Sequence, residues 1–180
     1  MSRTLKIVTL CTGNVARSVM LGYMLGSLGE ANGVDWQIRT AGTHVIEGLS
    51  MSGRTRNALL TIEELGENHY GAHRSHQLDS HDVEWADVIL TSEADHVFYV
   101  RRQFPDHLNK AVQLAQFVHD APMGETIARQ LAMVTPLEPS SEFDIPDPAG
   151  GDQSVYNECA ALLWELSQVF TALVTEQEAD

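Results

Sequence analysis

The stretch Cys11-Thr12-Gly13-Asn14-Val15-Ala16-Arg17-Ser18 constrains this chain more than any other. Residues 5–10, ahead of it, are short, apolar and rich in β-branched side chains, the pattern of a buried strand. Behind it, Met20, Leu21, Met24, Leu25 and Leu28 recur at helical spacing over 19–28 with no proline between them. A cysteine therefore ends a strand, and an arginine opens the helix that follows. The loop between must turn sharply, and Gly13 and Asn14 are the residue types that tolerate left-handed backbone angles. A loop wrapped over a helix N-terminus points its N–H groups inward and makes a nest for a tetrahedral oxyanion. Thr12, Gly13, Asn14, Val15, Ala16, Arg17 and Ser18 are thus the expected phosphate-binding residues. Arg17 adds a planar two-pronged grip on two oxygens. The same positive field favours the thiolate of Cys11 beneath the bound phosphorus or arsenic, and the Ser18 hydroxyl is placed to hold that thiolate. A core thiol and a surface cation would explain the two residues separately. They would not explain why strand, turn chemistry and helix coincide with them.

Composition narrows the partners. The 180-residue chain carries 11 Lys and Arg against 25 Asp and Glu, a formal charge of −14, which argues against nucleic acid or an anionic membrane surface. Its length favours one domain, residues 1–180, with room for a full core. Two cysteines far apart make no disulfide framework, and no apolar run approaches a leader core or a membrane span, so the expected setting is the cytoplasm.

The rest of the chain alternates strands and helices. Strands are expected at 34–40, 87–91 and, more weakly, 110–114. Helices are expected at 51–65 with Ser52 as cap, at 93–104, at 124–134 and at 154–176. A turn falls at 29–33, and the last residues, 176–180, are expected to fray. The final helix carries a stripe of Val155, Cys159, Leu162, Leu166, Phe170 and Leu173. Such alternation implies an α/β fold, a parallel sheet with helices on both faces and ligands beyond the carboxyl ends of its strands. Just before the final helix, residues 143–152 set Asp144 and Asp147 among prolines and glycines. Read alone, this is an acidic loop capping the helix through Asp152 or Ser154. His69, His73 and His76 are spaced to ligate a metal on a helix, but Gly71 interrupts them and no cysteine is near, so no metal site is expected.

At residues 11–18 the chain resembles the low-molecular-weight protein tyrosine phosphatases, whose signature reads Cys-x-Gly-Asn-x-Cys-Arg-Ser-Pro. Ala16 replaces the usual second cysteine and Val19 the usual proline. Thr40-Ala41-Gly42-Thr43 is similar to the family's Ser-Ala-Gly-Thr, and the stretch from His73 to Leu78 to its His-Arg-x-x-Gln-Leu. Ser52-Gly53 stands where Asp-Pro is common. The resemblance spans nearly the whole chain and is weakest over 117–143, which looks longer than the family's connection. It implies a four-stranded parallel sheet in order 2-1-3-4 and a phosphomonoester hydrolase working through a cysteinyl-phosphate on phosphotyrosine proteins or small phosphomonoesters, with no cofactor. It also implies catalytic roles for Cys11, Arg17 and Asp147, the last as general acid and base, with Asp144 a second claimant. Ala149 lacks the aromatic that usually follows Asp-Pro, leaving His44, Val45 and Ile46 as the other wall. Two alternatives stand beside this reading. One is a thiol-dependent arsenate reductase on the same fold, for which Cys159, a core thiol on its apolar stripe, is the only further cysteine. The other is a non-catalytic phosphate-binding interaction protein.

Overall fold

Strands β1 (Leu5–Cys11), β2 (Trp36–Gly42), β3 (Val88–Thr91) and β4 (Ala111–Gln113) form one parallel sheet in order 2-1-3-4. The computed structural model describes residues 4–66 and 68–176. β1 is apolar nearly throughout because both its faces are buried. Leu5 and Ile7 join one cluster, with Met20, Leu21, Met24, Leu163 and Phe170; Val8 and Leu10 join the other, with Val83, Val97 and Val100. Ile7, Val8 and Leu10 are fully buried, each contributing about 1.5–3 kcal/mol in removed apolar surface. Flanked by β2 and β3, β1 ends at the switch in strand order, so Cys11 stands where such sheets bind ligands.

Seven helices surround the sheet among the described residues: α1 (Arg17–Ala31), α2 (Gly53–Leu59), α3 (Ser80–Trp85), α4 (Ala94–Gln103), α5 (Leu114–Asp120), α6 (Ile127–Val134) and α7 (Gln153–Thr175). No helix among them is long and apolar enough to cross a membrane. α1 runs on to Ala31, into the turn expected at 29–33, and the chain reverses at the end of that turn, Gly33, where φ is +65°. The helix expected over 51–65 breaks after Leu59. Thr61 Oγ1 donates to the Ala58 carbonyl (2.6 Å), Ile62 turns extended, and a short 3-10 turn at Glu63–Leu65 then buries Leu65. Ser52 does cap α2, accepting from the Thr55 amide at 3.1 Å. α6 starts only at Ile127, behind a Thr126 cap. On α7 the buried face is Tyr156, Cys159, Ala160, Leu163, Ser167, Phe170, Thr171 and Leu173, while Val155 and Leu162 point outward. Residues 177–180 of the expected frayed tail lie outside the described residues.

Candidate active site

The loop after β1 owes its shape to Asn14, the one non-glycine among the described residues with positive φ (+53°). Every polar atom of its side chain is engaged. The His76 amide donates to Oδ1 (2.9 Å), which fixes the orientation of the carboxamide. Nδ2 then donates to Ser18 Oγ (2.8 Å) and Thr40 Oγ1 (2.9 Å). With its oxygen already accepting, Ser18 has its hydroxyl proton free for Cys11 Sγ, 3.0 Å away. His73 Nε2 donates to the Asn14 carbonyl (2.8 Å), and burial pushes that imidazole below its ordinary pKa. Thr55 Oγ1 donates to the Val15 carbonyl (2.9 Å), tying α2 to the same loop. On the other side, the Thr43 amide donates to the Cys11 carbonyl and the His44 amide to the Thr12 carbonyl, both at 3.0 Å.

Arg17 is 1% exposed, although it opens a helix. A buried guanidinium requires partners, and three are present. Nη1 pairs with the Glu93 carboxylate and donates to the Ile145 carbonyl (2.9 Å); Nη2 lies 3.0 Å from Asp147 Oδ2. The loop after β3 and the loop before α7 therefore converge on the guanidinium. They are also joined directly, the Ile145 amide donating to the Ser92 carbonyl at 2.8 Å. Asp144 faces elsewhere. Its Oδ1 accepts from the Ala94 amide (2.7 Å) and Gln113 Nε2 (2.9 Å), and burial raises its pKa. Asp152 caps α7, accepting from the Ser154 and Val155 amides.

Cys159 is a buried free thiol, pushed up to about 12 by burial. The three spaced histidines do not converge: His73 holds the Asn14 carbonyl, whereas His76 Nε2 lies 2.8 Å from Asp82 Oδ2 and 3.7 Å from Asp79. His44 stacks edge-on against Tyr99, ring centroids 5.7 Å apart. Glu93 and His96 escaped the sequence reading. His96, 3% exposed, sits with its Nε2 2.9 Å from Thr12 Oγ1. Their one available signal was topological: in a parallel sheet the residues after β3 open at the same end as those after β1.

A parallel α/β sheet whose first strand ends in a buried thiol, followed by a tight loop and a buried arginine that opens the next helix, defines a class of cysteine-centred phosphate-handling proteins. Within that class, the family model for low molecular weight phosphotyrosine protein phosphatases matches residues 6–128, and the chain belongs to that family. A protein-arginine-phosphatase of Geobacillus stearothermophilus is 29% identical over 151 residues, 84% of this chain and 83% of that protein. A low molecular weight protein-tyrosine-phosphatase of Streptomyces coelicolor is 26% identical over 184 residues, 97% and 96% of the two chains. Among solved structures, a low molecular weight protein tyrosine phosphatase from T. tengcongensis matches with a TM-score of 0.75 at 25% identity, covering 92% of this chain and 97% of its own. The arginine phosphatase structure from Geobacillus stearothermophilus matches at 0.71 and 27%, covering 93% and 90%.

Proposed function

We propose that this chain is a cysteine-dependent protein phosphatase in which Cys11 attacks phosphorus, the amides of residues 12–18 and Arg17 hold the equatorial oxygens, and Asp147 serves as general acid and then base. Two contacts at neighbouring residues of one loop support the reading: Cys11 Sγ lies 3.0 Å from the proton-bearing Ser18, and Arg17, next to that serine, lies 3.0 Å from Asp147. The cycle balances. The Cys11 thiolate forms an S–P bond as the ester P–O bond breaks, and the Asp147 carboxyl protonates the leaving oxygen. The resulting carboxylate then takes a proton from water, which cleaves the S–P bond, releases phosphate and restores the thiolate. Asp147 lies beyond the matched family segment, so its role rests on its pairing with Arg17. Asp144 is spent holding the start of α4.

Phosphotyrosine proteins are the proposed substrates. Phosphoarginine proteins are a second reading, favoured by the arginine phosphatases among the relatives and by Ala149, which gives an aryl ring no stacking partner. A cytoplasmic setting goes with both, because Cys11 works only as a free thiolate. The buried Cys159 does not favour a reductase, which would need a reactive relay thiol. We read 117–143 as an elaboration whose end braces the acid loop, since Gln113 donates to both the Ser140 carbonyl and Asp144.

The test compares phosphate release from a phosphotyrosine peptide, a phosphoarginine peptide and an alkyl phosphate, for the native enzyme, Cys11→Ser and Asp147→Asn. Cys11→Ser should be inactive, because a serine hydroxyl is not ionised near neutral pH. Asp147→Asn should lose roughly 10²–10⁴-fold on poor leaving groups and far less on para-nitrophenol. Equal losses on both kinds of leaving group would assign the proton to another residue.

A further inference from the structure

The first turn of α4 touches all three parts of the site. Glu93, its N-cap, pairs with Arg17; the Ala94 amide is held by Asp144, next to the carbonyl of Ile145 that also holds Arg17; and His96 reaches Thr12, the residue after the nucleophile. His96 has one protonation pattern compatible with its contacts. Its Nδ1 lies 3.1 Å from the Glu93 backbone nitrogen, and an amide N–H can only donate, so Nδ1 is the bare, accepting nitrogen. In neutral imidazole the proton must then sit on Nε2, which donates to Thr12 Oγ1. A second proton would set two donors face to face at Nδ1.

We propose that His96 is a positioning residue of this site: as the Nε2–H tautomer it ties Thr12, at the thiolate end of the oxyanion nest, to the turn that holds Arg17 at the helix end. The spacing between the two ends is then fixed by one rigid element rather than by the loop alone. The loop's other restraints run through Asn14 to Ser18 and Thr40, through His73 to the Asn14 carbonyl, through Thr55 to the Val15 carbonyl and through the Thr43 and His44 amides. On the α4 side, Ser92 donates to the Leu10 carbonyl, ahead of the nucleophile. None of them joins Thr12 to the Arg17 side. Burial keeps the imidazole neutral, its pKa lowered to about 4, while Glu93, Asp95 and Asp147 pull that value up and Arg17 pulls it down. The brace therefore stays intact across the neutral range.

The proposal deepens the catalytic reading above and rests on it for its kinetic arm alone, because oxyanion affinity is measurable without turnover. The experiment titrates orthovanadate and measures kcat and KM on para-nitrophenyl phosphate for the native protein, His96→Leu, His96→Gln, Thr12→Val and the double variant His96→Leu/Thr12→Val. His96→Leu and Thr12→Val should each weaken vanadate binding and lower kcat/KM by roughly five- to tenfold, the scale of one lost buried hydrogen bond. The double variant should be no worse than the worse single, and His96→Gln, which still carries a donor, should recover most of the loss. Nitrogen-15 correlation spectra should show the Nε2–H tautomer in the native protein. Multiplying losses, no recovery with glutamine, or the Nδ1–H tautomer would overturn the proposal. If His96→Leu does not fold, Thr12→Val and His96→Gln decide it: native vanadate affinity in Thr12→Val refutes the link. Vanadate losses without turnover on any phosphomonoester would refute the phosphatase reading and leave the brace standing.

Discussion

Gly42, the last residue of β2, gives the sharpest steric test of how the oxyanion loop is held. A Cβ added there would lie 2.5 Å from the Thr12 carbonyl oxygen, 2.5 Å from Val45 Cγ2 and 3.0 Å from the Asn14 amide nitrogen. Its φ is not positive, so the substitution Gly42→Ala introduces a clash and no conformational strain. Ordinary heavy-atom contact begins near 3.4 Å, so the loop backbone must retreat by about 1 Å. That retreat cannot be local. The Thr12 carbonyl accepts from the His44 amide, the Cys11 carbonyl from the Thr43 amide, and the Asn14 side chain positions the serine that meets the thiolate. Misplacing a reacting group by about 1 Å costs up to roughly 10²-fold in rate, and overpacking a tight site costs about 1–3 kcal/mol. The expected outcome is a ten- to hundredfold fall in kcat/KM on para-nitrophenyl phosphate, a parallel loss of vanadate affinity and a Tm lowered by about 2–12 °C. Gly26→Ala is the control, because position 26 is exposed mid-helix and its added Cβ meets nothing nearer than Ile38 Cδ1 at 3.9 Å. It should stabilise the fold by about 0.5–1 kcal/mol of helix propensity and leave the rate alone. Native activity in Gly42→Ala would refute the inference that strand β2 fixes the loop.

Three further outcomes follow from the same contacts. The folded pKa of His96, about 4, lies below the ordinary 6.5, so the folded state binds fewer protons and stability falls as pH drops from 6.5 toward 4; the loss reaches about 3 kcal/mol. Denaturant titrations should show that slope in the native protein and a flatter one in His96→Gln, and equal slopes would contradict it. Peroxide should inactivate the enzyme without recovery by dithiothreitol, because Ala16 offers no trapping thiol and Cys159 is buried and protonated; Ala16→Cys should restore recovery, and a Cys11–Cys159 disulfide found by mass spectrometry would refute this. Ala149→Tyr should improve kcat/KM on phosphotyrosine peptides by roughly three- to tenfold and leave alkyl phosphates unchanged, the gain an aromatic contact supplies; no selective gain would mean that another wall already holds the ring.

The parts legible in the sequence are those where one physical cause dominates. Continuous apolarity marks β1 and β3, Gly13 and Asn14 mark the turn, and Ser52 marks a helix start. The short helices α3 and α5 leave no clear mark, because six or seven residues carry too little periodicity; Leu114 in particular reads as the end of β4. On α7, Cys159, Leu166, Phe170 and Leu173 of the apolar stripe do face the core, whereas Val155 and Leu162 do not. The buried face also takes in small and polar residues that apolarity does not mark, with Ala160 and Ser167 fully buried and Ser167 Oγ 3.9 Å from Met24 Sδ. At the site, contiguous residues mark the loop after β1, but its partners Thr40, Thr55, Glu93 and His96 arrive from three other elements. The strand order that gathers them came only with the family resemblance, because pairing between parallel strands leaves no mark on local pattern.

The arginine's own bonding shows how one buried cation can be both structural and available. Nη1 is committed twice, to Glu93 and to the Ile145 carbonyl, and neither partner lies on a freely moving tip: Glu93 caps α4, and the Ile145 amide is itself bonded to Ser92. Among the described residues Nη2 pairs with Asp147, whose side chain is 45% exposed against 26% for Glu93. On the proposed catalytic reading, an incoming phosphate dianion meets a guanidinium whose rear is fixed and whose front is held by its more exposed partner. On that reading, Nη2 taking a phosphate oxygen would free the Asp147 carboxyl to serve the leaving oxygen. The guanidinium needs its planar fork for this division of labour, because a point charge has no separate front and rear to share between a scaffold and a ligand.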